Sequence, residues 1–386
     1  MSLIETKLQI GAHEIPWFEG IEAIDHLIAG TCGAVVDRFI LISDETIFSL
    51  HGPRFCGALA KHAPVSKLIL APGEGTKNFK ILARLCEDAI ASGATRHSVV
   101  VALGGGVVGN ISGVLATLLF RGVRLIHLPT TLLAASDSVI SLKSAINSVR
   151  GKNLFGSYIA PWAIIIEPDV FTTLSEVERL SGLAELVKNV LTVAPDQQAE
   201  ITSLALAPQP WSSGIWLRLI ELGAQAKIAI MREDPCEQGP AIMFEYGHTV
   251  GHAIELADLE RRGSDGLRHG LSVAIGMHIA AVVAEDVGVA VPGMAAAHAR
   301  LFKQLGLPTR LPAGLSLDRI RALVLQDNKR GRLRTGSDQV PMVLLEREGR
   351  VAGNPNLPLL PVPIAAIERA LKRLETISPR PATLEI

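Results

Sequence analysis

The sequence has few cysteines, no excess of one charge and no long apolar run. Its four cysteines, Cys32, Cys56, Cys86 and Cys236, are far apart and form no Cys-x-x-Cys pair. This spacing favours free thiols in a reducing cytoplasm over a disulfide framework. The 37 Lys and Arg residues nearly cancel the 38 Asp and Glu residues. We therefore expect neither a nucleic acid nor an anionic membrane surface as the main partner.

Nothing in the sequence indicates a membrane span or a secretory signal. The most apolar helical stretch, residues 273–284, is interrupted by His278 and is shorter than the ~20 residues that cross a bilayer. The opening letters MSLIETKLQI have no basic segment followed by an apolar run. We therefore expect a cytoplasmic protein that does not bind membranes.

The length of 386 residues and the 48% hydrophobic content predict two folded domains. The first half alternates short β-branched runs with helical patterns, which is typical of a parallel sheet covered by helices. After Pro168 the apolar residues recur mainly at helical spacing. The pattern predicts an α/β domain over residues 1–173 and a mostly α-helical domain over residues 174–386.

A glycine-rich loop, GGGVVG at Gly104–Gly109, directly follows a predicted strand and opens a predicted helix. Such a loop lets the backbone and a helix N-terminus approach a pyrophosphate. The acidic residue expected about 20 positions later is missing, although Asp44 ends an earlier strand and could bind ribose hydroxyls. The loop favours an unusual nucleotide site, and a tight turn without a ligand is the alternative.

Histidines predict a metal site in the second half. His248 and His252 share one face of a predicted helix, and His269 follows. A zinc metalloprotease is disfavoured, because its motif would place Glu where Thr249 stands. Two core histidines with ordinary partners are the alternative for the pair alone. Adding His269 and Glu185 to this pair supplies the two-His, one-carboxylate pattern of a catalytic metal site.

Charged and amide residues also occur in otherwise apolar or loop sequence. Any single one is most simply a solvated side chain, but several converging on a nucleotide and a metal would form a phosphate pocket. The set comprises Asp137, Lys143, Lys152, Asn153, Lys188, Lys227 and Lys329.

The ordered series of motifs resembles the dehydroquinate synthase superfamily over nearly the whole chain. The motifs are GE..K, GGG…G, FRG, PTT with a following Asp and Lys, GKN, AE..K, GHT.GHA.E and HG..VAIGM. The resemblance implies an N-terminal NAD-binding α/β domain, a C-terminal helical metal-binding domain and an active site in the cleft between them. It also implies a homodimer, because the family arginine that matches Arg121 reaches into the neighbouring subunit.

The resemblance assigns functional positions residue by residue. Ligands of a divalent metal, Zn²⁺ or Co²⁺, fall on Glu185, His248 and His269. NAD-contact or adjacent substrate positions fall on Asp44, Glu74, Lys77, Gly106, Val107, Val108, Gly109, Asn110, Thr130, Thr131, Lys143, Lys152 and Asn153. Substrate and phosphate positions fall on Asp137, Lys152, Asn153, Lys188, Lys227, His252, Lys329 and Arg121.

Three departures from the dehydroquinate synthase pattern concern the substrate. Asn110 replaces the usual aspartate, Ala241 replaces an arginine that helps hold the substrate carboxylate, and Glu245 replaces an asparagine. A substrate carboxylate beside Glu245 would meet a like charge, so a substrate without one is favoured. Within the superfamily, the phrases GGG..GN, ELVKN and FEYGHT.GHAIELA resemble the 2-deoxy-scyllo-inosose synthases.

That resemblance implies NAD- and metal-dependent carbocyclisation of glucose 6-phosphate with phosphate elimination, in aminoglycoside antibiotic biosynthesis. Lys143 and Glu245 are assigned the acid–base roles. A 3-dehydroquinate synthase or an epi-valiolone synthase acting on another sugar phosphate is the alternative. A metal- and NAD-dependent polyol dehydrogenase is disfavoured by the lysine-rich phosphate set, and a non-catalytic binding module by the combination of a nucleotide loop with a metal pattern.

Overall fold

The computed structural model describes residues 5–30, 35–149, 151–263 and 266–375. The strands are β1 (Glu5–Ile10), β2 (His13–Glu19), β3 (Phe39–Asp44), β4 (Val65–Leu70), β5 (Val99–Gly104), β6 (Arg124–Pro129), β7 (Lys143–Ser148), β8 (Gly151–Tyr158), β9 (Ala163–Ile166), β10 (Gln339–Met342), β11 (Leu345–Arg347), β12 (Arg350–Val351) and β13 (Leu360–Pro363). The α-helices are α1 (Ala23–Ala29), α2 (Glu45–Ala60), α3 (Phe79–Ala91), α4 (Gly106–Leu118), α5 (Leu132–Ser136), α6 (Glu176–Thr192), α7 (Gln198–Ala205), α8 (Ser213–Met231), α9 (His248–Arg262), α10 (His269–Asp286), α11 (Met294–Gln304), α12 (Leu317–Val324) and α13 (Ile364–Leu374).

The chain forms two compact units. Unit 1 contains residues 1–182 and 207–237, and unit 2 contains residues 183–206 and 238–386. Among the described residues, no helix is both long enough and apolar enough to cross a membrane.

Unit 1 is built on a seven-stranded sheet in the order β1-β2-β9-β6-β5-β3-β4. Only the edge pair of β1 and β2 is antiparallel, and all other neighbours are parallel. The central strands are rich in apolar residues, although His127 interrupts β6. Every residue of β5 is buried, as expected for a sheet covered on both faces. The parallel order brings the carboxyl ends of β3, β5 and β6 to one edge, where Asp44, the glycine loop and Thr130 follow. The predicted α/β class is confirmed.

The division of the chain differs from the predicted boundary at residues 173/174. Unit 1 extends to Gly182 within α6 and takes in the segment 207–237. The reason is packing, because α8 contacts β1 and α5 and Trp216 stacks on Phe171 at a centroid distance of 5.5 Å. Helical spacing in a sequence reveals a buried face but not which core buries it.

Unit 2 is mostly helical, as predicted, with two small antiparallel pairs, β10 with β13 and β11 with β12. Its centre is the packing of α9 against α10, which is buried almost throughout its length. A Cβ atom at Gly276 of α10 would collide with the carbonyl oxygen of Gly247, just before α9. This close approach fixes α9 against α10 and sets His248 near His269.

Candidate active site

Three histidines of unit 2 meet where α9 and α10 begin. The ring of His248 lies 5.1 Å from that of His252 and 5.3 Å from that of His269, between centroids. One ring nitrogen of each histidine lies within 4.8 Å of the other two. The pair on α9 follows from the four-residue spacing, and the first turn of α10 supplies the third ring.

The carboxylate of Glu185 on α6 completes this cluster. Its Oε1 atom lies 3.7 Å from Nε2 of His248 and 3.5 Å from Nε2 of His269. Glu185 is fully buried, and in the described part of the chain Oε1 accepts no hydrogen bond. The other oxygen, Oε2, accepts from Nζ of Lys188 at 2.6 Å. A buried carboxylate oxygen facing two ring nitrogens fits a divalent cation.

The contacts of the Nδ1 atoms leave the Nε2 atoms of His248 and His269 available as metal ligands. Nδ1 of His248 lies 3.2 Å from the carbonyl oxygen of Tyr246, and Nδ1 of His269 lies 3.1 Å from Oε2 of Glu255. A proton on Nδ1 donated to these oxygens places the lone pair on Nε2. Burial lowers the pKa of His248 and of His252 to about 3, so both rings are neutral at pH 7.

An ion cluster centred on Lys329 lies in the same unit. Its ammonium group is 2% exposed and contacts Oε2 of Glu245 at 3.0 Å and Oδ2 of Asp327 at 3.2 Å. Burial alone would lower the pKa of Lys329, but the two carboxylates outweigh it and the net shift is upward. Ala241 is completely buried in the turn that ends at Glu245. The predicted residues Glu245 and Lys329 are therefore in direct contact.

Lys143 of unit 1 pairs with an acid that the sequence did not single out. Its Nζ donates to Oε2 of Glu237 at 2.6 Å, and the hydroxyl of Ser141 donates to Oε1 at 2.8 Å. Glu237 has a positive φ of 52°, a backbone conformation that is costly for a residue other than glycine. The pair joins residues 94 positions apart, so no local pattern could have revealed it.

A second buried pair in unit 1 joins two predicted substrate residues. Nζ of Lys227 on α8 donates to Oδ1 of Asp137 at 2.6 Å and to the Asp137 carbonyl oxygen at 3.2 Å. The contact explains why α8 belongs to unit 1 although it follows a segment of unit 2.

The glycine loop has the geometry of a dinucleotide cradle. A Cβ atom at Gly104 would lie 2.7 Å from Val108, and one at Gly105 would lie 3.1 Å from Thr131. A side chain at position 104 would therefore require Val108 to move, and one at position 105 would make a tight contact. No side chain caps the N-terminus of α4 at Gly105. The N–H groups of Gly106, Val107 and Val108 in the first turn are arranged for an anionic ligand, whereas the N–H of Gly109 donates to the carbonyl oxygen of Gly105 at 3.0 Å.

Asn110 ties this loop to the rest of unit 1. Its amide nitrogen donates to the carbonyl oxygen of Gly106 at 2.8 Å, and its amide oxygen accepts from the N–H of Ala145 at 2.9 Å. An ionised aspartate could not make the first of these bonds. The residue type at Asn110 therefore has a structural reason in this chain.

The remaining predicted cofactor residues lie near the carboxyl ends of the strands or on the β7–β8 hairpin. Oδ1 of Asp44 caps α2 by accepting from the N–H of Ile47 at 3.0 Å, and Thr131 caps α5 in the same way. The buried hydroxyl of Thr130 has no hydrogen-bond partner in the described ranges. A polar group of a dinucleotide would supply the missing hydrogen-bond partner of this hydroxyl next to the glycine loop.

Side chains of the segment 74–77 contact the β7–β8 hairpin. Oε1 of Glu74 accepts from Nδ2 of Asn147 at 2.7 Å, and Nζ of Lys77 donates to Oδ1 of Asn153 at 2.5 Å. Lys152 is half-buried on β8 and precedes Asn153 in the sequence. The contacts join two motifs that are far apart in sequence.

Arg121 is exposed in a kinked turn after α4. Phe120 and Arg121 have positive φ values of 50° and 66°. Two consecutive non-glycine residues in this region store backbone strain of the kind found at functional sites.

Comparisons with known proteins identify the family of the chain. Residues 67–181 match the 3-dehydroquinate synthase N-terminal family and residues 182–330 match the 3-dehydroquinate synthase C-terminal family. The chain belongs to the 3-dehydroquinate synthase family. The predicted superfamily is thereby confirmed.

Individual relatives show which members of this family the chain resembles. A 2-deoxy-scyllo-inosose synthase of Streptomyces lividus is 38% identical over 370 residues, which cover 96% of this chain and 95% of that enzyme. A crystal structure of 2-deoxy-scyllo-inosose synthase complexed with carbaglucose-6-phosphate, NAD⁺ and Co²⁺ has a TM-score of 0.87 at 31% identity, covering 96% of this chain and 99% of that one. The 2-epi-5-epi-valiolone synthase ValA of Streptomyces hygroscopicus subsp. jinggangensis 5008, with NAD⁺ and Zn²⁺ bound, has a TM-score of 0.75 at 25% identity, covering 89% and 92%.

Proposed function

We propose that this chain acts as a 2-deoxy-scyllo-inosose synthase, which converts glucose 6-phosphate into a carbocycle with loss of inorganic phosphate. It would be a carbon–oxygen lyase that uses NAD and Zn²⁺ or Co²⁺ in aminoglycoside biosynthesis. The observation that carries the proposal is the acidic side chain of Glu245, held by Lys329, in the same short turn as the buried Ala241. The substrate analogue named in the related crystal structure, carbaglucose-6-phosphate, supports the same choice.

The metal would be held by Oε1 of Glu185 and the Nε2 atoms of His248 and His269. The three histidines group together and Oε1 of Glu185 faces two of them, which gives four candidate ligands, one more than a three-ligand catalytic site uses. Glu185 is preferred over His252 because its buried, unpaired oxygen faces both other ligands. A bound divalent cation supplies a Lewis acid that polarises a substrate oxygen. His252 would then contact the substrate.

The cofactor residues of unit 1 would bind NAD. The glycine loop would hold the diphosphate through N–H groups, and the carboxylate of Asp44 would accept from ribose hydroxyls. The polar group formed by Glu74, Lys77 and Asn153 would orient the rest of the cofactor and the adjacent substrate. Bound NAD supplies a transient oxidation of the sugar that is reversed before product leaves, so the overall reaction is redox-neutral.

The chain's own residues would move protons and support the departing phosphate. Loss of the proton next to the transient ketone needs a base, and phosphate departure needs cations and an acid. Lys143 and Glu245 have the polar partners and the access for the proton transfers, since their side chains are 37% and 25% exposed. Lys188, Lys227, Lys329 and Arg121 would bind the phosphate and hydroxyl oxygens.

The active enzyme would be a homodimer. The apolar side chains of Leu118, Phe120 and Phe155 are exposed on two segments that a 3.1 Å hydrogen bond between Thr117 and Ser157 joins. Large exposed apolar patches mark interaction sites, and Arg121 stands beside these residues. Sedimentation velocity should give about twice the mass of one chain, and a monomer at micromolar concentration would contradict the proposal.

A cytoplasmic setting is proposed from cysteine usage. Cys56, Cys86 and Cys236 are thiols in this structure, as suits a reducing compartment. Cys32 lies outside the described residues.

The experiment that tests the proposed function is product identification. Purified protein with NAD, Co²⁺ and glucose 6-phosphate should release one phosphate per sugar and form a deoxy-ketocyclitol, identified by mass and NMR, without build-up of NADH absorbance. Stoichiometric NADH without phosphate release would instead indicate a polyol dehydrogenase. No product from glucose 6-phosphate would overturn the proposal.

A further inference from the structure

The two carboxylates that contact Lys329 hold it in different ways. Asp327 is bound to Lys329 twice, because its Oδ1 accepts from the backbone N–H at 3.0 Å and its Oδ2 contacts Nζ at 3.2 Å. Glu245 lies in a separate segment, and its Oε2 contacts the ammonium group at 3.0 Å. Asp327 is therefore part of the same local turn as Lys329, whereas Glu245 is brought to it by the fold.

The two acids also differ in access. The side chain of Asp327 is 3% exposed and that of Glu245 is 25% exposed. Glu245 precedes His248 by one short turn of chain, at the entrance to α9. Of the two carboxylates, only Glu245 has access to a molecule arriving from solvent.

A buried ammonium group without a counter-ion is strongly destabilising, whereas one carboxylate is sufficient to neutralise it. If Glu245 alone compensated Lys329, any movement of Glu245 toward a substrate would leave a bare buried charge. Because Asp327 stays bound through two atoms, Glu245 can leave Lys329 at a much lower free-energy cost.

We propose that Asp327 is a positioning residue that acts as the resident counter-ion of Lys329, so that Glu245 can exchange between Lys329 and the substrate during the reaction. The inference rests on the proposed function, in which Glu245 transfers a proton. Asp327 touches neither substrate nor cofactor in this scheme, and its effect on turnover passes entirely through Glu245.

The first test compares Asp327→Asn with Asp318→Asn, which alters an exposed aspartate of the neighbouring helix α12. Asp327→Asn keeps an oxygen for the backbone N–H of Lys329 but leaves Glu245 as the counter-ion. We expect kcat for phosphate release from glucose 6-phosphate to fall about tenfold or more, with KM raised by no more than about twofold. Asp318→Asn should match the wild type. Equal kcat in both variants, or a loss that appears only in KM, would overturn the proposal.

A double-mutant cycle with Glu245→Gln tests the route of the effect. Once Glu245 has lost its charge, adding Asp327→Asn should lower kcat further by no more than about twofold, because Asp327 acts through Glu245. A further loss as large as that of Asp327→Asn alone would show an independent structural effect. Metal content and circular dichroism of each variant establish that it is folded.

Unfolding by urea gives a readout that does not depend on turnover. Each single variant leaves one carboxylate on Lys329, so each should shift the urea midpoint only slightly. The double variant leaves none, so its midpoint should fall by clearly more than the sum of the two single shifts. Additive shifts would refute Asp327 as a replacement counter-ion. An inactive wild type with a non-additive urea cycle would instead place the failure in the proposed function.

Discussion

The contact between Lys143 and Glu237 gives a quantitative prediction about turnover. Nζ of Lys143 lies 2.6 Å from Oε2 of Glu237, and the glutamate side chain is 10% exposed. Glu237→Gln keeps the shape and the bond from Ser141 but removes the charge. A charge-assisted hydrogen bond contributes about 1.5–3 kcal/mol, so losing it should lower the rate roughly ten- to hundredfold if the bond orients Lys143 for proton transfer.

The assay is continuous phosphate release from glucose 6-phosphate at saturating NAD and metal. The matched control is Glu233→Gln, which removes an exposed carboxylate four residues earlier. We expect Glu237→Gln to lose kcat while its calorimetric affinity for NAD stays within about twofold of the wild type. A kcat within twofold of the Glu233→Gln control would refute the role given to the pair.

Three further predictions concern the metal, the cofactor and acid stability. Chelation should abolish phosphate release, and added Co²⁺ or Zn²⁺ should restore it. Glu255→Ala should weaken metal binding about 10- to 100-fold, because it removes the acceptor of His269 Nδ1. Full activity of metal-free protein would contradict this. Asp44→Ala should weaken NAD binding by about 1.5–3 kcal/mol in calorimetric titration, since charge-assisted bonds to ribose are lost, and unchanged affinity would exclude that contact. Burial lowers the pKa of His127 and of His298 to about 4, so between about pH 6.5 and pH 4 the unfolded chain binds protons that the folded chain does not. The free energy of unfolding should therefore fall as pH drops through this window, by on the order of 2 kcal/mol per histidine between pH 6.5 and pH 5. His127→Phe should reduce the slope of the free energy of unfolding against pH, measured with urea. A free energy of unfolding that does not change over this window would refute the prediction.

Much of the sheet was predictable because buried parallel strands are nearly continuous apolar runs. Strands β3, β5, β6 and β9 lie where β-branched residues cluster. The apolar run QVPMVLLER has the local pattern of one strand, but it forms two short strands, β10 and β11, that belong to different sheets. Pairing with distant strands determines where one strand ends and the next begins, and a local sequence pattern carries no information about that pairing.

The candidate site was predictable where its residues lie on one element or belong to a motif. The spacing of His248 and His252 places both rings on one face of α9. Glu237 and Asp327 were not singled out, because a glutamate or an aspartate in a polar loop is usually solvated. A weak signal for Asp327 exists in its position two residues before Lys329. None exists for Glu237, since only the fold brings it to Lys143.

The central claim is that Glu245 and Ala241 select a substrate without a carboxylate. Replacing a cationic partner by a methyl group and adding a like charge should cost several kcal/mol, or on the order of a thousandfold. The direct test is the ratio of kcat/KM for phosphate release from glucose 6-phosphate and from a heptulosonate 7-phosphate, measured with one preparation. We predict a ratio of about a thousand or more in favour of glucose 6-phosphate, and a preference for the heptulosonate would contradict the account.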